Sequence, residues 1–131
     1  MNGAGYVVTW VNQQGEGMSL VQIVFYIFCA IAFGGASIAT AIWLNIRLPS
    51  VLPILHGLGG LVAIGLLAYV LAGMPSEASN LWWPFIILGA GFIGGVLFFR
   101  VLYPRKAPHF LIAGHGLVGL IGLFLLYRIA F

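Results

Sequence analysis

The sequence predicts an all-α protein, a four-transmembrane-helix up-down bundle built from two parallel helical-hairpin repeats. Three observations lead to this prediction. The composition is 63% hydrophobic and only 5% charged, whereas a soluble domain has about 25% charged residues. The few charged residues separate four apolar segments, each long enough to cross a hydrocarbon core, which takes about 20 helical residues. The second half of the chain also repeats the first.

The four apolar segments predict helices at about 18–46, 51–74, 81–103 and 108–130. In lipid only a helix or a closed barrel satisfies the backbone, and four segments without strict alternation cannot form a barrel. Each connector contains proline, which cannot extend the preceding helix. Because the connectors are short, neighbouring helices are expected to be antiparallel. Residues 1–17 form a short polar segment that can lie at the membrane interface, and they lack the charged region of a secretory signal.

The basic residues predict the orientation in the membrane. Arg47, Arg105 and Lys106 lie in the first and third connectors, on the same side of the bundle. The positive-inside rule places these connectors in the cytoplasm and both termini in the periplasm, against the single counterexample of Arg128. The default location is the inner membrane of a bacterium.

Several classes of function are excluded or disfavoured by what the composition lacks. The net charge of +3 rests on five basic residues, too few for a nucleic-acid surface. The single cysteine, Cys29, allows no internal disulfide. No acidic residue lies inside a predicted span, which argues against a proton-coupled transporter. The sequence shows no nucleophile motif or phosphate-binding loop, so catalysis by this chain alone is not expected.

The two halves of the chain align at an offset of 59 residues. His56 then falls on His115, Pro49 on Pro108, and Arg47 on Lys106. The sequence HGLGGL that begins at His56 matches HGLVGL at His115. The repeated unit is therefore a helical hairpin used twice in one orientation, a parallel repeat.

The repeat places two histidines at one depth in the membrane. Each lies seven residues after its proline, about 10 Å into its helix at 1.5 Å per residue. An ionisable residue at such depth suggests a functional site, and a neutral imidazole is an axial ligand of haem iron. Small residues near both histidines would let a flat macrocycle approach, and the basic residues of the connectors can pair with its propionates. The predicted site comprises His56, His115, Gly60, Gly119, Gly34, Gly35, Gly94, Gly95, Arg47, Arg105 and Lys106.

This pattern resembles the four-helix haem core of b-type membrane cytochromes. In that family, histidines on the second and fourth helices hold the haem, and glycines on the first and third let it approach. The resemblance covers residues 18–131 and carries over to His56, His115 and the two glycine pairs. Two-haem members have a second histidine further along each ligand helix, where this chain has Tyr69-Val70 and Arg128-Ile129. The resemblance therefore implies one haem b.

The sequence favours a membrane electron-transfer protein or subunit that binds one bis-histidine haem and works with other membrane subunits, with quinone as a further candidate partner. The alternative is a non-redox accessory subunit of a respiratory or photosynthetic complex. Its histidines would bind a chlorophyll-type pigment or only neighbouring helices. Aromatic side chains are expected on the outer surface, facing lipid or a partner; they are Phe85, Phe92, Phe98, Phe99 and Phe124.

Overall fold

The computed structural model describes residues 18–74 and 80–131, so the predicted polar segment 1–17 lies outside the described residues. Within these two ranges four α-helices follow in order: α1 is Leu20–Trp43, α2 is Val51–Ala72, α3 is Trp82–Val96, and α4 is His109–Ala130. α3 continues into a π-helix, Leu97–Leu102. With the π-helix counted to α3, all four are long and apolar enough to cross a membrane. This confirms the predicted all-α fold with four helices of membrane-spanning length and composition, as in a multi-pass membrane protein.

Local hydrogen bonds fix both ends of α1. At its start the Ser19 hydroxyl accepts from the Gln22 backbone N–H, and the Gln22 side chain accepts from the Ser19 backbone, a reciprocal capping box. At its end Asn45 adopts a left-handed conformation, φ 56°, and the Ile46 N–H donates to the Ala41 carbonyl. This Schellman arrangement stops the helix at Trp43, three residues before the predicted end at 46.

The helices form a ring in which each packs against its two neighbours. α1 packs on α2, α2 on α3, α3 on α4, and α4 returns to α1. The Gln22 side-chain amide donates to the Ala130 carbonyl at 3.0 Å, which joins the start of α1 to the end of α4. α2 and α4, the two histidine helices, therefore face each other across a diagonal of the bundle and run in the same direction.

The bundle has two unlike halves. The upper half is defined by Leu20, Ala72, Trp82 and Ala130, and the lower half by Trp43, Val51, Leu102 and His109. The enclosed hydrophobic core of the described residues lies in the upper half: Val24, Phe28, Ala63, Leu67, Val70, Leu71, Leu81, Leu88 and Leu126. In the lower half Ala41 is the buried hydrophobic residue. The inward-facing positions there hold glycines and histidines that are only half-buried.

The outer surface of the bundle is apolar. Its most exposed large side chains include Phe33 at 77%, Tyr69 at 73% and Phe110 at 71%. A surface of this kind would aggregate in water but is expected where hydrocarbon is the solvent. The fold therefore fits a lipid bilayer. Its few inward-facing polar side chains lie in the half-buried lower half.

Candidate histidine site between the second and fourth helices

The structure brings the two predicted histidines together across the bundle diagonal. His56 lies in the second turn of α2 and His115 in the second turn of α4. At 1.5 Å per residue, both lie about 8–9 Å from the start of their helices. Their imidazole ring centres are 6.3 Å apart, and the ring planes are inclined at 80°. Two side chains separated by 59 positions in sequence thus form one site in the lower half.

Each imidazole packs against a glycine of the neighbouring helix. A Cβ built on Gly35 of α1 would stand 2.8 Å from Cε1 of His56, and one on Gly95 of α3 would stand 2.8 Å from Cε1 of His115. Carbon atoms do not approach that closely, so any larger residue at these two positions would force the imidazole to shift. The hairpin repeat therefore includes a histidine–glycine contact that is made twice with the same geometry.

Backbone carbonyls of the glycine-bearing helices also approach the imidazoles. The carbonyl of Ile31 lies near His56 and that of Gly91 lies near His115, each one helical turn before the contacting glycine. Nδ1 of His56 is nevertheless buried and lacks a hydrogen-bond partner. A buried polar atom without a partner is unfavourable by about 1–3 kcal/mol, so this nitrogen is a point where a small adjustment or a ligand would lower the energy.

The surroundings of the two histidines differ on their outer sides. The ring of Phe99, from the π-helix, lies edge-on to His115 with a centre separation of 5.4 Å. Beside His56 a groove of about 560 Å³ opens instead between α1 and α2. Its walls are mainly apolar and include Ile31, Gly34, Ile38, Leu52, Leu55 and Gly59. The second hairpin thus closes over its histidine with an aromatic ring, and the first leaves its histidine accessible from the flank.

The other glycines of the predicted site do not touch the imidazoles. A Cβ on Gly60 would meet the ring of Phe92 at 3.2 Å, and one on Gly94 would meet the ring of Phe98 at 3.7 Å. Gly34 and Gly119 have no atom within 4 Å of that position. In each predicted glycine pair, therefore, one glycine contacts a histidine and the other does not.

The predicted basic residues lie at the lower end rather than beside the imidazoles. Arg47 precedes α2, and Arg105 and Lys106 precede α4. All three are exposed. They lie between the histidine level and the solvent at the lower face of the bundle.

Phe99 is a residue of the site that sequence reasoning missed. It was expected on the outer surface, yet it is half-buried and contacts His115. A signal was present, because Phe99 lies four residues after Gly95 and residues four apart share one face of a helix. The π-helix also begins at Leu97, two residues after this glycine, and such segments are frequent at functional sites.

A scan against family models and searches of curated proteins and solved structures found no match. In the described residues no group of three or more His, Cys, Asp or Glu side chains could hold a metal ion. The two imidazoles supply two ligands, so a metal at this site would need its remaining ligands from another molecule, such as a macrocycle.

Proposed function

We propose that this chain is an integral membrane b-type electron-transfer protein or subunit that binds one haem between α2 and α4, with His56 and His115 as axial ligands. The observation that carries the proposal is the separation of the two rings. Imidazoles bonded to opposite sides of one metal ion at about 2 Å each have ring centres about 6 Å apart. The measured separation is 6.3 Å, between side chains on diagonal helices.

The lower half offers the small side chains that a flat macrocycle requires. Gly35 and Gly95 allow the imidazoles to lie against α1 and α3, which keeps both rings near the bundle axis. The enclosed core ends above this level, so helices of the lower half can separate slightly without disrupting tightly packed side chains. These features support a cofactor between the helices.

The backbone carbonyls near the imidazoles suit axial ligands. A histidine that binds a metal through one nitrogen carries its proton on the other, and that N–H usually donates to a carboxylate or a backbone carbonyl. Ile31 and Gly91 present carbonyls close to His56 and His115. A small rotation of His56 would give its unpartnered Nδ1 this acceptor. When bound, the haem supplies a one-electron redox centre whose potential depends on its axial ligands and burial.

The proposed partners and location rest on the distribution of the basic residues and on the single proposed haem site. The exposed basic residues Arg47, Arg105 and Lys106 support, by the positive-inside rule, a proposed orientation with the lower end in the cytoplasm and the termini in the periplasm of a bacterial inner membrane. They are also the residues of the lower end that can pair with propionates. One haem near one face does not span the bilayer. The chain is therefore proposed to exchange electrons with a quinone or with another membrane subunit on that side.

A second candidate is an accessory subunit in which one histidine binds a chlorophyll-type pigment. The unequal surroundings of the two histidines favour it, because the groove beside His56 opens to the flank while Phe99 covers His115. A pigment ligand needs only one imidazole. This candidate predicts that His115→Ala leaves the bound pigment in place, whereas a bis-histidine haem requires both side chains.

The test is the reduced-minus-oxidised visible spectrum of the purified chain, with extraction of haem beside it. We expect a sharp low-spin b-type band and about one haem per chain. His56→Ala and His115→Ala should each abolish the band, whereas His109→Ala, in the first turn of α4, should keep it. A wild-type chain that stays colourless after reconstitution with haem would refute the proposal. A pigment spectrum that survives His115→Ala would establish the second candidate instead.

A further inference from the structure

The lower end of the bundle carries positive charge that the described residues do not neutralise. Arg47, Arg100, Arg105 and Lys106 are all exposed there. Residues 18–74 and 80–131 contain no Asp or Glu, because the two acidic residues of the chain are Glu16 and Glu77. The counter-charge for this end must therefore come largely from outside these two ranges.

The lower end has two connectors, the first at residues 44–50 and the second, which is the third along the chain, at residues 103–109. At the offset of 59 residues that aligns the histidines, Ile46 corresponds to Arg105, Leu48 to Ala107 and Ser50 to His109. The basic residue between them and the following proline are kept in both connectors. Each of these three differences adds a basic group or removes a bulky side chain in the second connector.

A shallow surface depression of about 330 Å³ accompanies the basic residues of the second connector. It is lined by Lys106, Ala107, Pro108 and His109. The start of α4 lies at the same place, and Pro108 gives it no side-chain cap. The start of a helix favours an anion because of its free N–H groups and its dipole. The basic side chains and the helix start thus both favour a negatively charged group beside this depression.

We propose that the second connector, residues 103–109, binds the phosphate of an anionic phospholipid. A lipid is favoured over a soluble anion because this connector joins two membrane-spanning helices and therefore lies at the level of the lipid headgroups. Basic pockets at the ends of membrane helices are a recurrent place for such headgroups. Phe110, 71% exposed in the first turn of α4, offers an apolar surface for the adjoining acyl chain. The first connector, with one basic residue, is the weaker site.

The test is native mass spectrometry of the purified full chain with added phosphatidylglycerol or phosphatidylcholine at equal concentrations. We expect phosphatidylglycerol adducts to appear at a several-fold lower lipid concentration than phosphatidylcholine adducts. A juxtamembrane basic residue contributes about fivefold to binding of an anionic lipid, so Arg105→Gln should weaken phosphatidylglycerol binding by about that factor. Arg47→Gln removes the same charge from the first connector and is the matched control, with a smaller effect expected.

A connector exchange sharpens the test. The triple variant Arg105→Ile, Ala107→Leu, His109→Ser gives positions 105, 107 and 109 the residues found at 46, 48 and 50 and changes no core side chain. It should reduce the preference for phosphatidylglycerol to the weaker level expected of the first connector. Equal binding of both lipids by the wild type, or equal losses in Arg47→Gln and Arg105→Gln, would overturn the proposal. Displacement of the lipid by equimolar inorganic phosphate would show a soluble anion site instead. Haem content is measured in parallel, which separates this proposal from the haem proposal. If Arg105 pairs with a haem propionate instead, Arg105→Gln should lose haem and keep its bound lipid.

Discussion

Gly35 of α1 leaves the space that the Cε1 edge of the His56 imidazole occupies, because a Cβ on that glycine would stand 2.8 Å from Cε1. Gly95 of α3 does the same for His115. A histidine of one helix and a glycine of the preceding helix therefore interlock within each hairpin. The contact fixes the position of each imidazole relative to its neighbouring helix, and hence the separation of the two rings across the diagonal.

Gly35→Ala and Gly95→Ala are expected to displace the imidazole that each glycine contacts. Forcing a methyl group into a packed site costs about 1–3 kcal/mol, and the moved imidazole would ligate haem poorly. The measurement is haem retained after purification together with thermal unfolding in detergent. Gly34→Ala and Gly94→Ala are matched controls, because their added methyl groups meet no atom closer than 3.7 Å. Equal haem retention in all four variants would contradict this geometry.

His56→Gly should create a space that free imidazole can fill. If His56 is an axial ligand, this variant loses its low-spin band, and millimolar imidazole in the buffer restores it because the ligand is supplied from solution. The visible spectrum is recorded while imidazole is titrated into the sample. His109→Gly is the control and should keep its low-spin band without imidazole. Retention of a full low-spin band by His56→Gly without imidazole would show that His56 is not a ligand.

Gly122→Ala should destabilise the upper half without affecting the histidine site. A Cβ there would lie 2.6 Å from Leu88, a side chain of the enclosed core. Overpacking of this kind costs about 1–3 kcal/mol. Gly119→Ala is the control one turn earlier, where the added methyl group meets nothing within 4 Å. The free energy of unfolding of that control should rise by up to about 1 kcal/mol, because alanine has a higher helix propensity than glycine. Thermal unfolding of both variants gives the comparison, and equal midpoints would refute it.

Asn45→Gly and Asn45→Val, at the end of α1, should differ in thermal stability. Asn45 has φ 56°, a left-handed conformation that glycine adopts freely and that costs other residues about 1–2 kcal/mol. Asn45→Gly is therefore expected to unfold at the wild-type temperature or above, and Asn45→Val at a lower temperature. The check is thermal unfolding in detergent, where the reverse order would exclude a left-handed end to this helix.

The sequence was sufficient to predict the four helices and the shared depth of the histidines. Helices were predictable because seven charged residues leave long apolar segments, and lipid forces such segments to satisfy their own backbone hydrogen bonds. The equal depth of His56 and His115 followed from the repeat, since the rise per residue of a helix is constant. The end of α1 was less predictable, because it depends on the conformation of Asn45 rather than on composition.

Only the tertiary structure decided which small residues meet the histidines and how far apart the rings lie. These helices are apolar on nearly every side, so the spacing of apolar residues does not identify the inward face. Gly35 rather than Gly34 contacts His56, and Phe99 covers His115, because packing against neighbours sets the rotation of each helix about its axis. The sequence by itself determined membrane-spanning helices and the level of the candidate site. The rotation of the helices in the ring determined that two histidines at that level form a pair.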